Sequence, residues 1–350
     1  MVRAPRPLPP GIKRRFLAAA DRGLGVASIG DFYARATRAR GAVILMYHSV
    51  AASERRWLQD PSMAMPASKF AAQMSFLARR RRVISLTALA ETLARGNAPE
   101  RGTVVITFDD GYLDNYRVAA PILARHDFPA TIFLATGYIE RVENMWIDTI
   151  YHAFVRRTRD AFEIAGRAFD LGNSSELDRA YAETAGVLVR ARVPERAAIL
   201  SSILEQLRPA GQPPRLTMSW DEVRALRKSY PAISIGSHTR EHVNLSSIPD
   251  AEVVGELDAA HADIRRELDI DVVHFTFPYG RGNRRARAWL ESHGYLSASL
   301  TEPMSPAKVG SDRLALTRLE ARQDESSARL AYHTSGAYPS LSRALFLGHG

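Results

Sequence analysis

Val104-Val105-Ile106-Thr107-Phe108-Asp109-Asp110-Gly111-Tyr112 changes character within one step: an apolar, β-branched run meets two carboxylates and a glycine. A run of this length closed by turn residues is expected to be a buried strand. The same event recurs along the chain. Ala42 to Tyr47 ends in His48, and Thr131 to Ala135 ends in Thr136-Gly137. Ile233 to Ser237 ends in His238, and Val273 to Phe277 ends in Pro278-Tyr279-Gly280. Helical spacing fills the intervals, over 67–81 (Phe70, Met74, Leu77), 113–125, 220–229 behind Ser219, and 250–268 (Val253, Leu257, Ile264, Leu268). Strands alternating with helices imply a mostly parallel sheet. Polar residues gathered at the carboxyl ends of parallel strands are where a barrel keeps its active site.

Residues 141–216 interrupt the rhythm. Mixed-charge helical patterns (Leu177 to Arg192, Glu195 to Leu207) end in Pro209, Gly211, Pro213 and Pro214. We read the stretch as a helical insertion over one barrel face, with a small separate domain as the alternative. The expected organisation is a basic leader (1–40), a barrel (41–325) carrying the insertion 141–216, and a C-terminal tail (326–350).

Composition narrows the chemistry. The chain has 350 residues, 46% of them hydrophobic and 24% charged, which are ordinary globular values. Without cysteine, disulfide scaffolds, iron–sulfur clusters, thiolate zinc fingers and cysteine nucleophiles are excluded, so any metal must rest on His and carboxylates. No apolar run reaches the length of a membrane span. The formal charge of +9 is concentrated in residues 1–40, where nine Lys/Arg against two Asp give +7. A second basic run is Arg79 to Arg82. Both read as solvated rather than nucleic-acid-binding surfaces, with weak membrane-surface contact open to the leader. Its apolar stretch, Phe16 to Ala20, is too short for a signal peptide, so a cytoplasmic location is expected.

Neighbouring residues on a strand face opposite ways, so Asp109 and Asp110 converge only if the backbone turns, which Gly111 allows. Two convergent carboxylates repel unless a cation neutralises one. His238-Thr239-Arg240-Glu241-His242 supplies two imidazoles four residues apart, expected on one face of a helical turn and able to share a metal. Two imidazole nitrogens and one carboxylate oxygen leave an open position, the ligand count of a catalytic zinc site, with the second carboxylate free as a base. The order H-x-x-E-H also fits an inverted zinc metalloprotease, but that motif wants one long helix, and Ser246, Ser247 and Pro249 follow closely.

Together these residues resemble the polysaccharide deacetylases with the NodB-homology domain, carbohydrate esterase family 4, from about Ala42 to Glu320 with 141–216 set aside. Thr107 to Gly111 is similar to the first family motif. The resemblance implies Asp109 as base and Asp110 as metal ligand. His238 to His242 resembles the second motif, whose two His complete the triad. Phe275-Thr276-Phe277-Pro278-Tyr279-Gly280 resembles the third, a groove wall in which the amide after Pro278, that of Tyr279, helps hold the oxyanion. Leu45 to Val50 and Met218 to Glu222 resemble members linked to exopolysaccharide synthesis. The fold implied is an irregular (β/α) barrel of about seven strands. The activity implied is metal-dependent removal of N-acetyl groups from amino sugars of an acetylated glycan, as in chitooligosaccharide deacetylases. The expected cofactor is one divalent ion, zinc first and cobalt or another divalent ion next.

Two departures stand out. Thr276 occupies the place of an Arg that orients the base, and Arg318 is the available replacement. The late Leu-x-His motif that supplies a general acid has no match, since 314–320 reads Leu-Ala-Leu-Thr-Arg-Leu-Glu. His48, ending the first strand, is the best substitute donor, with strand anchoring as its other reading; Glu320 is weaker. The missing acid also keeps open a carbohydrate-binding pseudoenzyme, ahead of the metalloprotease. His126, His152, His261 and His293 read as solvated, and Trp146 and Trp220 as core or groove residues. Arg281, Arg284, Arg285 and Arg287 form a basic cluster beside the third motif.

Overall fold

A computed structural model describes residues 41–52, 58–141, 143–301 and 305–335. The leader expected over 1–40 lies outside them. The strands are β1 (Val43–Tyr47), β2 (Ser49–Ala51), β3 (Ala64–Pro66), β4 (Arg82–Val83), β5 (Thr103–Phe108) and β6 (Ala130–Leu134). After these come β7 (Ala161–Ile164), β8 (Arg167–Asp170), β9 (Ile233–Ser237), β10 (His274–Thr276), β11 (Ser297–Leu300) and β12 (Leu316–Glu320). Seven of them close a parallel barrel in the order β1-β12-β11-β10-β9-β6-β5, with β5 returning to β1 from Val43↔Val104 to Tyr47↔Phe108. β4 adds to the start of β5. Barrel strands are covered on both faces, which is why β1, β5 and β6 are unbroken apolar or β-branched runs and wholly buried.

One glycine sets a barrel contact. In the register Phe133↔Gly236, a Cβ on Gly236 would stand 2.4 Å from the Phe133 ring, so only glycine lets β9 lie against β6.

Most helices follow the expected spacing. Ala67–Arg80 buries Phe70, Met74 and Leu77, and Asp250–Leu268 buries Val253, Leu257, Ile264 and Leu268. Ser219 caps Trp220–Ser229, its side chain accepting from the Glu222 amide. The helix expected over 113–125 is different: a π-helical turn over Asn115–Ala119 precedes a short helix over Ala120–Ala124. Pro121 has no N–H to donate back, and the turn before it widens.

The insertion is not purely helical. Between helix Trp146–Arg156 and helices Ser174–Arg190 and Val193–Leu207 stands the antiparallel hairpin β7–β8. Its two-residue turn, Ala165-Gly166, has both φ values positive, at 51° and 73°, as a tight hairpin requires. Phe162 and Phe169 pair across it and face a core shared with Trp146, Phe154, Leu188 and Leu207. Alternation over residues 161–170 was the available signal. His152 belongs to this unit and is 6% exposed, correcting its reading as solvated. The expected tail begins instead with helix Ser327–His333, whose Leu330 joins the main core. Among the described residues no helix is long and apolar enough to cross a membrane.

Candidate active site

The site lies at the carboxyl ends of the barrel strands. After Phe108 the chain takes two successive left-handed residues, Asp110 and Gly111, both at φ 73°. This double turn aims consecutive carboxylates into the same mouth. A Cβ on Gly111 would meet Leu134 Cδ2 at 2.8 Å, so the turn needs glycine for space as well as for conformation.

Asp110, His238 and His242 each offer a ligand atom, all within 4.8 Å of one another. His238 Nε2 lies 3.6 Å and His242 Nε2 3.4 Å from Asp110 Oδ1. That Oδ1 is buried without a hydrogen-bond partner among the described residues. His238 Nδ1 lies 2.8 Å from the carbonyl of Thr276, which can only accept, so Nδ1 carries the proton and Nε2 turns its lone pair to the site. Burial lowers His238 to about 4, with nearby Asp109 pulling the other way, and burial also holds His242 well below its usual value. The imidazoles are therefore neutral, and their contacts with Asp110 are not ion pairs. Burial, and then Asp109 and Asp148, push Asp110 up. A buried orphan carboxylate oxygen beside two neutral imidazoles, one of them oriented by the Thr276 carbonyl, fits a divalent cation.

The two His are not held by a helix. His238 follows β9 directly, and Thr239 and His242 have φ of 64° and 47°, so a loop brings the rings to a centroid separation of 4.8 Å. Glu241, the residue a metalloprotease would use on water, is gripped by Arg141 through two bonds of 2.8 and 2.5 Å. Both findings remove the protease reading.

Asp109 faces Arg318 from β12. Nη1 meets Oδ1 at 2.7 Å and Nη2 meets Oδ2 at 2.6 Å, while Nη1 also reaches Thr107 Oγ1 at 3.2 Å. Burial would raise the Asp109 carboxyl, but the Arg318 guanidinium holds it well below the usual carboxylate range. Thr276 contributes its carbonyl to His238, and the guanidinium on Asp109 comes from Arg318.

These residues floor a cavity of about 310 Å³. His48, Met46 and Met63 line one side, and Met145, Trp146, Ile147, Ala185 and Val189 from the inserted segment line the other. The insertion's part in this wall is what the sequence left unread. Burial lowers His48, with Asp109 and Glu320 pulling it back up, so its imidazole is neutral near pH 7. Its carbonyl accepts from Asn115 Nδ2 at 2.7 Å. Glu320 is exposed and borders a small cleft beside His48, not the main cavity. Pro278 is buried at the start of the Pro278–Gly280 turn, and Tyr279 lines the cavity. Of the basic cluster, Arg287 is paired with Asp312 and Glu291, while Arg281, Arg284 and Arg285 are exposed. Trp220 is a core residue, 6% exposed.

A family model described as Polysaccharide deacetylase matches residues 96–298. YxkH of Bacillus subtilis (strain 168), named as a candidate polysaccharide deacetylase, is 35% identical over 92 residues, spanning 26% of this chain and 30% of that protein. Among solved structures, the Streptococcus pyogenes deacetylase PplD in complex with acetate superposes with a TM-score of 0.56 at 16% identity, over 84% of this chain and 98% of that one. IcaB from Ammonifex degensii superposes with a TM-score of 0.54 at 18% identity, over 85% and 97% of the two chains. At these identities the likeness is one of fold.

Proposed function

The chain belongs to the polysaccharide deacetylase family, and from that premise we propose that it hydrolyses N-acetyl groups on amino sugars of a poly- or oligosaccharide. The observation that carries this reading is the Asp110–His238–His242 cluster with Asp109 beside it at one barrel mouth. Asp110, His238 and His242 would hold a divalent ion, zinc by the chemistry of the donors, which would supply Lewis acidity toward water and the acyl carbonyl.

The protein's own groups do the rest. Asp109, fixed edge-on by Arg318, accepts the proton of the attacking water. The backbone N–H of Tyr279 receives the carbonyl oxygen as negative charge grows on it. The C–N bond then breaks, acetate leaves, and the amine nitrogen takes a proton. His48, across the cavity, is the proposed donor. Neutral at rest, it must receive the proton that Asp109 removed and hand it on within the cycle.

Acetate release from N-acetylglucosamine oligomers by the metal-loaded protein tests the reading. Release should stop with a chelator. Asp109→Asn should keep its metal while turnover falls roughly 10²–10⁴-fold, the usual worth of a general base. Oligosaccharide binding without acetate release from any acetylated hexosamine oligomer would favour the pseudoenzyme instead.

A further inference from the structure

The Pro278–Gly280 turn is held in a conformation its own residues disfavour. Tyr279 sits at φ 58° and ψ 11°, a left-handed backbone that a side-chain-bearing residue rarely adopts unless its surroundings impose it. Here they do, through a directed chain of hydrogen bonds. Tyr279 Oη donates to the backbone carbonyl of His242 at 3.3 Å and accepts from Trp146 Nε1–H at 3.1 Å. The polarity of the chain is forced at both ends, because a carbonyl only accepts and an indole only donates. The Tyr279 and His242 rings also meet edge to face, centroids 4.9 Å apart.

Trp146 comes from the inserted segment, 133 residues away in sequence from Tyr279, and is 3% exposed. It starts helix Trp146–Arg156 and packs in the insertion's own core. The guanidinium carbon of Arg196, a residue 4% exposed, lies 5.8 Å from the centre of the indole ring. Arg196 Nη2 donates to the Ala191 carbonyl at 3.4 Å, while Nε and Nη1 find no hydrogen-bond partner among the described residues, so the indole face is a favourable neighbour for that buried cation. Core packing and a stacked guanidinium together fix the direction of the Trp146 N–H.

We propose that Trp146 is a positioning residue: its indole N–H orients the Tyr279 hydroxyl and thereby holds the left-handed turn on which the Tyr279 amide depends. The catalytic use of that amide rests on the deacetylase reading; the positioning does not. On this view the inserted segment completes the active site rather than merely covering it.

Trp146→Phe keeps an aromatic face for Arg196 and removes the donor together with part of the ring. Loss of one hydrogen bond should lower kcat for acetate release roughly fivefold with KM changed less than about twofold. Metal content should stay at the wild-type level. Gly280 N–H, bonded to the Phe277 carbonyl at 2.9 Å, should exchange with deuterium several-fold faster while the β5 amides keep their protection. Tyr279→Phe should cost as much as Trp146→Phe, and the double variant no more than the worse single one. Additive losses, a wild-type kcat in Trp146→Phe, or unchanged exchange in the turn would overturn the proposal. If the wild-type protein releases no acetate, the deacetylase reading falls, and the exchange of Gly280 alone decides the positioning.

Discussion

Arg318 and Asp109 form a two-bond, edge-on pair, Nη1 to Oδ1 at 2.7 Å and Nη2 to Oδ2 at 2.6 Å, with both side chains at most 3% exposed. The pair joins β12 to the end of β5, strands that are not backbone-paired with each other but both pair with β1. It sets the direction of the Asp109 carboxylate and keeps it ionised. Because the folded pKa is depressed, its contribution to stability is full above the unfolded value near 4 and is lost as pH falls through the folded one.

Replacing the cation exposes that dependence. In Arg318→Met, burial acts on Asp109 unopposed by its main counter-charge, and the carboxyl pKa should rise. The acid limb of the pH–rate profile should move to higher pH. Stability at pH 7 should fall by about 3–5 kcal/mol, the cost of stranding one partner of a buried pair. An acid limb that stays in place would mean Arg318 does not control the base.

Asp110, His238 and His242 each offer one ligand atom of three, so the loss of any one should largely abolish metal binding at the proposed site. Alanine at each position should reduce bound metal sharply in elemental analysis. Chelation of the wild-type protein should lower Tm, since an ion bound only by the folded state stabilises it. Full occupancy in His238→Ala would end the assignment.

For His48, the donor and anchor readings separate in one variant. His48→Gln should fold, load metal and lose turnover by about 10²-fold or more, with the alkaline limb of its pH profile gone. A lower Tm with that limb retained would make His48 an anchor of β1.

Asp148 offers a test of stability alone. It begins the first inserted helix, is 2% exposed, and accepts from Tyr112 Oη at 3.0 Å. Burial raises its carboxyl to about 7, against the opposing Tyr112 bond. A raised carboxylate pKa means the folded state binds the extra proton, so stability declines as pH rises from the unfolded value near 4 through 7. Asp148→Asn, neutral at every pH, should therefore raise Tm by several degrees at pH 8 and leave it near wild type at pH 4. Equal shifts at both pH values would refute the assignment.

The strand ends and their chemistry were legible from the sequence because they are local. An apolar run that stops at Asp109-Asp110-Gly111 or at His238 carries its burial, its turn and its ligand atoms within a few residues. The spacing of two His by four was legible as well, though not the loop with positive φ at Thr239 and His242 that brings them together. That loop carries no helical or strand periodicity to read. The hairpin in the insertion was missed because its alternation spans only two four-residue strands amid helical patterns.

Tertiary structure alone decided which distant groups face these local ones. Arg318 could be named as a replacement for the missing Arg, but its bond to Asp109 spans 209 residues and exists because β1 pairs with both β5 and β12. Trp146 reaches Tyr279 across 133 residues, from a segment whose own sequence reads as an interruption. Short-range pattern specifies which side chains a strand end presents. Which side chain stands opposite depends on how the strands close on one another, and that follows from the burial of all of them at once.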